Sequence, residues 1–420
     1  MFTAQLSDIP TAHVEHTATK LADGSVLVTG GCGADSEAQD LCVRYHEGAW
    51  KILAPLSAAS RRHTATLLNT GEVLVVGVGY GRGGAALYDV GADSWYPIAS
   101  PETPRVEHAA VLLDDGRVVI VGGREAELLD GIEPSQRRQV PPLATTEIFD
   151  PATSSWSEGP SLSDARRKHG LFKLADGSVL AVGGKGVTKL GGKTRIKTAE
   201  RLDVQSNQWR SVGKIDPSDK QFAPLSDGRL LSCRGHIYDP SDDSWSEVEP
   251  GFRGGGPMLA LADGRVACFG SRGDEVYDPA TNEWTPCREP LRLHRRGHLA
   301  IALSDEQILL IGGTPGRGRG LPLAQQLWVD LEPDALIPPE ASLEATGAEE
   351  LMKMLIDNDK LELEEDADVA SLVARVDRIL RFGDNAGAKA AAMGWLLLNS
   401  DDVVDLYMED RELRKLLQQW

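Results

Sequence analysis

The chain has 420 residues, 41% of them hydrophobic, and 44 Lys and Arg against 63 Asp and Glu give a formal charge of −19. Ordinary apolar content excludes wholesale disorder, and only five cysteines in this length exclude a disulfide scaffold. The acidic balance argues against a nucleic-acid or anionic-membrane binder, because either needs cations to replace counterions.

Residues 1–10 have neither a basic n-region nor an apolar h-region, and no uninterrupted apolar run reaches 18 residues. Neither a signal peptide nor a membrane span is expected. Cys32, Cys42, Cys233, Cys268 and Cys287 show no C-x-x-C pair and no metal-ligand spacing, which suits a reducing cytoplasm. Cys32 and Cys42 flank one loop and would be free to pair only under oxidation.

Internal repetition organises the first part of the chain. A segment beginning at His63 and running through Thr70-Gly71 to Val76 recurs from His16, His108, His169 and His298, with degenerate copies near Phe222 and Pro257. Each copy carries a turn dipeptide: Asp23-Gly24, Thr70-Gly71, Asp115-Gly116, Asp176-Gly177, Asp227-Gly228, Asp263-Gly264, or the altered Asp305-Glu306. Asp-Gly between β-rich runs signals a hairpin, since Gly supplies positive φ without steric cost. Seven hairpins are predicted. A second strand pair follows, marked by Tyr88 to Trp95, Phe149 to Trp156, Leu202 to Trp209, Tyr238 to Trp245 and Tyr277 to Trp284, all with one spacing. The last unit, at Leu327-Trp328, lacks the following Trp, and Phe2 precedes His16 much as Trp50 precedes His63. The amino-terminal strand is therefore expected to close the last unit.

Four strands per unit, the doublets Gly30-Gly31, Gly122-Gly123, Gly183-Gly184 and Gly312-Gly313, and the Tyr and Trp at fixed distance resemble the kelch repeat. The resemblance covers residues 1–332 and implies an all-β seven-bladed β-propeller of the kelch type. The repeated Trp, Tyr and Gly are read as packing residues between blades.

After Leu331 a linker is expected over 333–345 and a small all-α, acidic helical domain over 346–420, from stripes such as Val369, Leu372, Val373 and Val376. Residues 333–420 hold 20 acids and 9 bases, so more than half of the net charge lies there. The acids of Asp357 to Asp368 do not follow the calcium-loop order and read as a solvated turn. This segment resembles small helical adaptor modules of bacterial signalling or defence proteins.

Sorting residues by loop places the Asp-Gly and aromatic-Asp turns on one face and most cations on the other. There the candidate binding residues are Arg62, Arg105, Arg124, Arg167, Lys168, Arg295, Arg296 and Arg317, around the channel mouth, where forked guanidinium groups suit carboxylates. The repeat histidines are expected to satisfy backbone acceptors; no metal site, cofactor, phosphate loop or nucleophile elbow is read.

The expected function is a non-enzymatic, cytoplasmic scaffold or adaptor. Its Arg-rich face would bind an acidic peptide or protein and its helical module a second partner, or the propeller itself. The alternative, implied by the resemblance, is a kelch-propeller enzyme acting on an anionic small molecule such as a carboxylated sugar, in the manner of a mutarotase.

Overall fold

The computed structural model describes residues 2–8, 14–32, 37–79, 81–129, 140–187, 192–216, 219, 221–248, 256–270, 274–286, 297–305, 307–313 and 323–329. Six four-stranded antiparallel sheets follow one another as blades, with strands a to d in chain order. Blade 1 is Thr17–Lys20, Val26–Thr29, Cys42–His46 and Ala49–Ile52; blade 2 is Thr64–Leu67, Val73–Val78, Gly84–Asp89 and Ser94–Ile98. Blade 3 is Ala109–Leu112, Val118–Val121, Thr146–Asp150 and Ser155–Gly159; blade 4 is Gly170–Lys173, Val179–Val182, Thr198–Asp203 and Gln208–Lys214. Blade 5 is Phe222–Pro224, Leu230–Ser232, His236–Asp239 and Ser244–Glu247; blade 6 is Met258–Ala260, Val266–Phe269, Asp274–Asp278 and Glu283–Pro286.

The hairpin Leu299–Ala302 with Gln307–Ile311 follows, pairing Leu299 with Ile311. Its first strand packs against strand a of blade 6 and strand a of blade 1. Phe2–Asp8 and Leu323–Val329 are two further strands. These two end strands fall mainly in a compact unit separate from Asp8–Cys287 and His294–Ala324. The expectation of an all-β seven-bladed β-propeller is therefore corrected on blade count. Six blades of four strands each stand in one unit, and the seventh hairpin contributes two strands there. Among the described residues the helical structure is one 3-10 turn, Glu127–Leu129. The linker and the helical domain expected over 333–420 lie outside the described residues.

The hairpin turns form as their residues dictate. In blade 1 Leu21 N–H donates to the Ser25 carbonyl, Gly24 N–H returns to Leu21, and Gly24 takes φ 81°. The Asp23 carboxylate accepts the Ser25 N–H at 3.1 Å, an Asx turn repeated at Asp115, Asp176, Asp227 and Asp263. Many turn acids are also ion-paired: Asp115 with Arg117, Asp227 with Arg229, Asp263 with Arg265, Asp23 with Arg44 and Asp176 with Arg201. The turn face is thus less acidic than a count of its aspartates implies, because an Arg two residues on, or one from strand c of the same blade, reaches the turn.

Blades are stitched by their aromatic residues. The Tyr88 and Trp95 rings lie 4.8 Å apart, as do those of Tyr238 and Trp245. Three outer Trp residues donate their indole N–H to the preceding blade: Trp95 to Ala54 at 2.9 Å and Trp209 to Pro160 at 3.0 Å in its exit loop, and Trp245 to Val212 at 2.6 Å in its outer strand. The Gly doublet is needed for close approach. A Cβ on Gly122 would meet the Arg166 carbonyl oxygen at 2.3 Å, and one on Gly123 the Val106 carbonyl oxygen at 2.7 Å.

In blades 3 and 4 a buried arginine clasp ties the segment entering strand a to the blade's own strands b and c. Arg166 donates to the carbonyls of Gly183 (3.2 Å) and Thr198 (3.0 Å), to the Thr198 hydroxyl (3.1 Å) and to Glu200 (2.6 Å). Glu200 in turn accepts the N–H groups of Ser163 and Asp164. Arg105 repeats the arrangement with Gly122, Thr145 and Glu147. Before blade 5 the position facing the Gly doublet is Asp219, an acceptor where the other blades have a donor: Asp219 accepts from Ser232 at 2.8 Å and lies 2.5 Å from His236 Nδ1.

The repeat histidines are buried among hydroxyls: His63 Nε2 lies 2.8 Å from the Thr29 hydroxyl, and His108 Nε2 lies 2.8 Å from that of Thr64. Burial pushes the imidazole of His63 down to about 4 and that of His169 to about 3.

Two predictions follow from this interior. Glu200→Gln leaves the Arg166 charge buried without its counter-ion, and urea unfolding should show a loss of about 3 kcal/mol or more; an unchanged midpoint would contradict the clasp. Because the histidines titrate lower when folded than the ordinary ~6.5, the unfolded chain takes up protons first on acidification. Stability should therefore be constant from pH 8 to 7 and fall from about pH 6.5 towards 4, measured as urea midpoints.

Candidate functional site

The residue before each repeat His occupies the left-handed region: Glu15 (φ 58°), Arg62 (58°), Glu107 (60°), Lys168 (52°) and, in the closing hairpin, Gly297 (72°). Non-glycine residues persist there only where their surroundings hold them. Here a chain of backbone hydrogen bonds does so, one step per blade. Arg62 N–H donates to the Glu15 carbonyl at 3.0 Å, Glu107 N–H to Arg62 at 3.0 Å, and Lys168 N–H to Glu107 at 2.9 Å. Strands a of blades 1 to 4 pack on one another in order, so these four residues step around the inner end of the blades.

Their side chains alternate in sign and interlock. Arg62 reaches Glu15 and Glu107, both at 2.6 Å. Lys168 lies 3.6 Å from Glu15 and 3.3 Å from Glu107. Arg124 and Arg167 approach the second Glu107 oxygen at 2.8 and 2.6 Å, and Arg61 stands 3.9 Å from Glu15. Glu107 is the hub: its side chain is 0% exposed, while Arg62 and Lys168 keep 24% and 28% exposure. Burial alone would raise its carboxyl. Lys168, Arg62, Arg124 and Arg167 outweigh that and hold it at about 2. Glu15 is likewise held below its ordinary value, against burial, by Arg62, Lys168 and Arg61.

Five cations thus surround two carboxylates, an excess of three positive charges in a protein of net charge −19. Two small ribbons rise beside the cluster. Arg105–Val106 pairs with Arg124–Glu125, and Lys185–Val187 pairs with Lys193–Arg195 and carries the backbone bridge between Arg167 and Lys185. Leu128 and Val187 expose apolar side chains after and within these ribbons.

Of the residues expected at this site, the structure gathers Arg62, Arg124, Arg167 and Lys168 on Glu107. It withdraws Arg105 into the interior clasp, where its donors meet Gly122, Thr145 and Glu147. Arg295, Arg296 and Arg317 lie outside the described residues. The sequence marks Glu107 only as one of the acids that make this face mixed, and does not single out Glu15. Aligning the residue before each repeat His would have displayed the series Glu, Arg, Glu, Lys. Among the described residues no group of three or more His, Cys, Asp or Glu is placed to hold a metal.

No protein-family model matches the chain. It is 26% identical over 271 residues to Kelch-like protein 34 of Homo sapiens, covering 59% of this chain and 41% of that protein. It is 24% identical over 266 residues to Kelch-like protein 36 of Bos taurus (56% and 40%), and 23% identical over 192 residues to an F-box/kelch-repeat protein of Arabidopsis thaliana (41% and 43%). The chain thus spans less than half the length of these relatives. The solved structure of YjhT superposes with a TM-score of 0.49 at 14% identity, covering 74% of this chain and 94% of that one. Six repeat-built blades and these kelch-repeat relatives at modest identity together support a kelch-type β-propeller.

Proposed function

We propose that the protein is an interaction scaffold whose channel mouth binds an acidic peptide or protein. The observation that carries this reading is the convergence of Arg62, Arg124, Arg167 and Lys168 on one buried carboxylate, with surplus charge on partly exposed side chains. Glu107 holds the cations together at the cost of one charge. A partner's carboxylate is favoured over solvent because the arginines are already oriented and little side-chain entropy is lost on docking.

Glu15 acts as the resident competitor. It contacts Arg62 closely but Lys168 and Arg61 only at 3.6 and 3.9 Å, so an incoming carboxylate takes over the looser contacts. Leu128 and Val187 offer apolar side chains to flanking residues of the partner. On the same reading the carboxyl-terminal region engages a second partner or, through its acidic residues, this mouth, and the protein acts in the cytoplasm.

Titration of a labelled polyglutamate peptide tests the proposal. Arg167→Glu should weaken binding about tenfold or more, equivalent to ~1.4 kcal/mol, whereas Glu15→Gln should tighten it several-fold. Both effects should shrink as ionic strength rises and the screening length falls below about 10 Å. Equal affinity for wild type and Arg167→Glu would refute the mouth as the site. Binding of a carboxylated sugar without binding of any acidic peptide would favour an enzyme acting on an anionic small molecule instead.

A further inference from the structure

Cys233 directly follows strand b of blade 5, and Cys268 lies in strand b of blade 6. Side chains alternate along a strand, so Cys233 shares a face with Leu231 and Cys268 with Val266. All four belong to one apolar cluster between the two blades, with Ala223, Leu225, Met258 and Tyr277. The thiols are 6% and 7% exposed and hydrogen-bond one another. The backbone N–H of Gly256 donates to both sulfurs.

The other described cysteines have different partners. Cys32 donates to Glu15 and receives a hydrogen bond from Arg61, and Cys42 donates to the Asp40 carbonyl. Among the described residues, Cys233 and Cys268 are thus the two thiols that meet. Their environments also differ. The hydrogen bond from Cys268, with Arg234 and the Gly256 N–H, holds Cys233 below its ordinary value against burial; Cys268 is pushed up by its bond to Cys233 and by burial.

The geometry points to a covalent modification site: exposed to a hydroperoxide, Cys233 and Cys268 close an inter-blade disulfide. The Cys233 thiolate attacks one peroxide oxygen. The O–O bond breaks, hydroxide leaves and is protonated to water, and Cys233 becomes a sulfenic acid. Cys268 then loses its proton, its sulfur attacks the Cys233 sulfur, and the S–O bond breaks with release of a second water. The two thiols are oxidised by two electrons and hydrogen peroxide is reduced to two waters. The bond would tie strand b of blade 5 to strand b of blade 6, two segments joined along the chain through the outer strands of blade 5 and strand a of blade 6.

The test is peptide mapping of the folded full-length protein after brief treatment with hydrogen peroxide, under non-reducing conditions. The expected product links tryptic peptides 230–234 and 266–272, is lost on reduction, and raises the urea unfolding midpoint. In Cys268→Ala, Cys233 should be trapped as a sulfenic acid by dimedone; in Cys233→Ala, Cys268 should stay a free thiol under the same treatment. The proposal is overturned if wild-type Cys233 accumulates as sulfenic or sulfinic acid while Cys268 stays reduced. It is equally overturned if both remain thiols, or if the linked peptide forms only in urea.

Discussion

One backbone constraint underlies both the shape of the propeller and its chemistry. The residue before each repeat His must take a left-handed conformation so that its N–H can reach the carbonyl of the same position one blade earlier. That geometry turns the His into the blade interior, towards threonine hydroxyls, and turns the preceding side chain towards the axis. Four successive positions then carry Glu15, Arg62, Glu107 and Lys168, and the ion pairs between them follow from adjacency. Isolated surface pairs contribute little, but a network around one buried carboxylate is harder to take apart, because removing one member leaves others uncompensated.

Two kinds of arginine stand within a few residues of each other and do different work. Arg105 and Arg166 are consumed by carbonyls and a glutamate inside the blades, fixing the segment that enters strand a. Arg62 and Arg167 are held by Glu107 at the end of that segment with part of their surface open. The interior clasps therefore place the mouth cations. In blade 5 the clasp is replaced by Asp219 with His236, so that this blade is joined by a pair of opposite polarity and smaller reach. Blade 5 is also where the Gly doublet gives way to Ser232 and Cys233, and Ser232 is there drawn into the bond with Asp219.

Much of the architecture was legible because its signals are local. The Asp-Gly turns, the fixed Tyr-to-Trp spacing and the Gly doublets each encode one turn, one ring pair or one close approach, and each is found where expected. Blade count was less legible, since the closing hairpin looks like any other in sequence while completing a sheet is a matter of which strands meet. Residue type alone could not separate Arg105 from Arg167, because burial depends on whether a carbonyl pair and a glutamate wait opposite. The hub role of Glu107 was illegible for the converse reason: an acid among cations reads as dilution of charge, although buried it gathers them. Cys233 and Cys268 lie 35 positions apart, and a search for local cysteine motifs does not see two thiols brought together across a blade interface.

The turn face and the mouth emerge as electrostatically distinct in a way that net charge conceals. Aspartates of the turns are largely matched by arginines two residues on or from neighbouring strands, whereas the mouth keeps three cations more than its two acids balance. Hydrogen–deuterium exchange of the full-length protein, with and without a polyglutamate peptide, tests this polarity most directly. Slower exchange is expected at residues 61–63, 107–108, 123–125 and 167–169, where the segments entering strand a meet the mouth ribbons. Protection confined to the Asp-Gly turns, or a peptide that changes exchange nowhere in these segments, would contradict it.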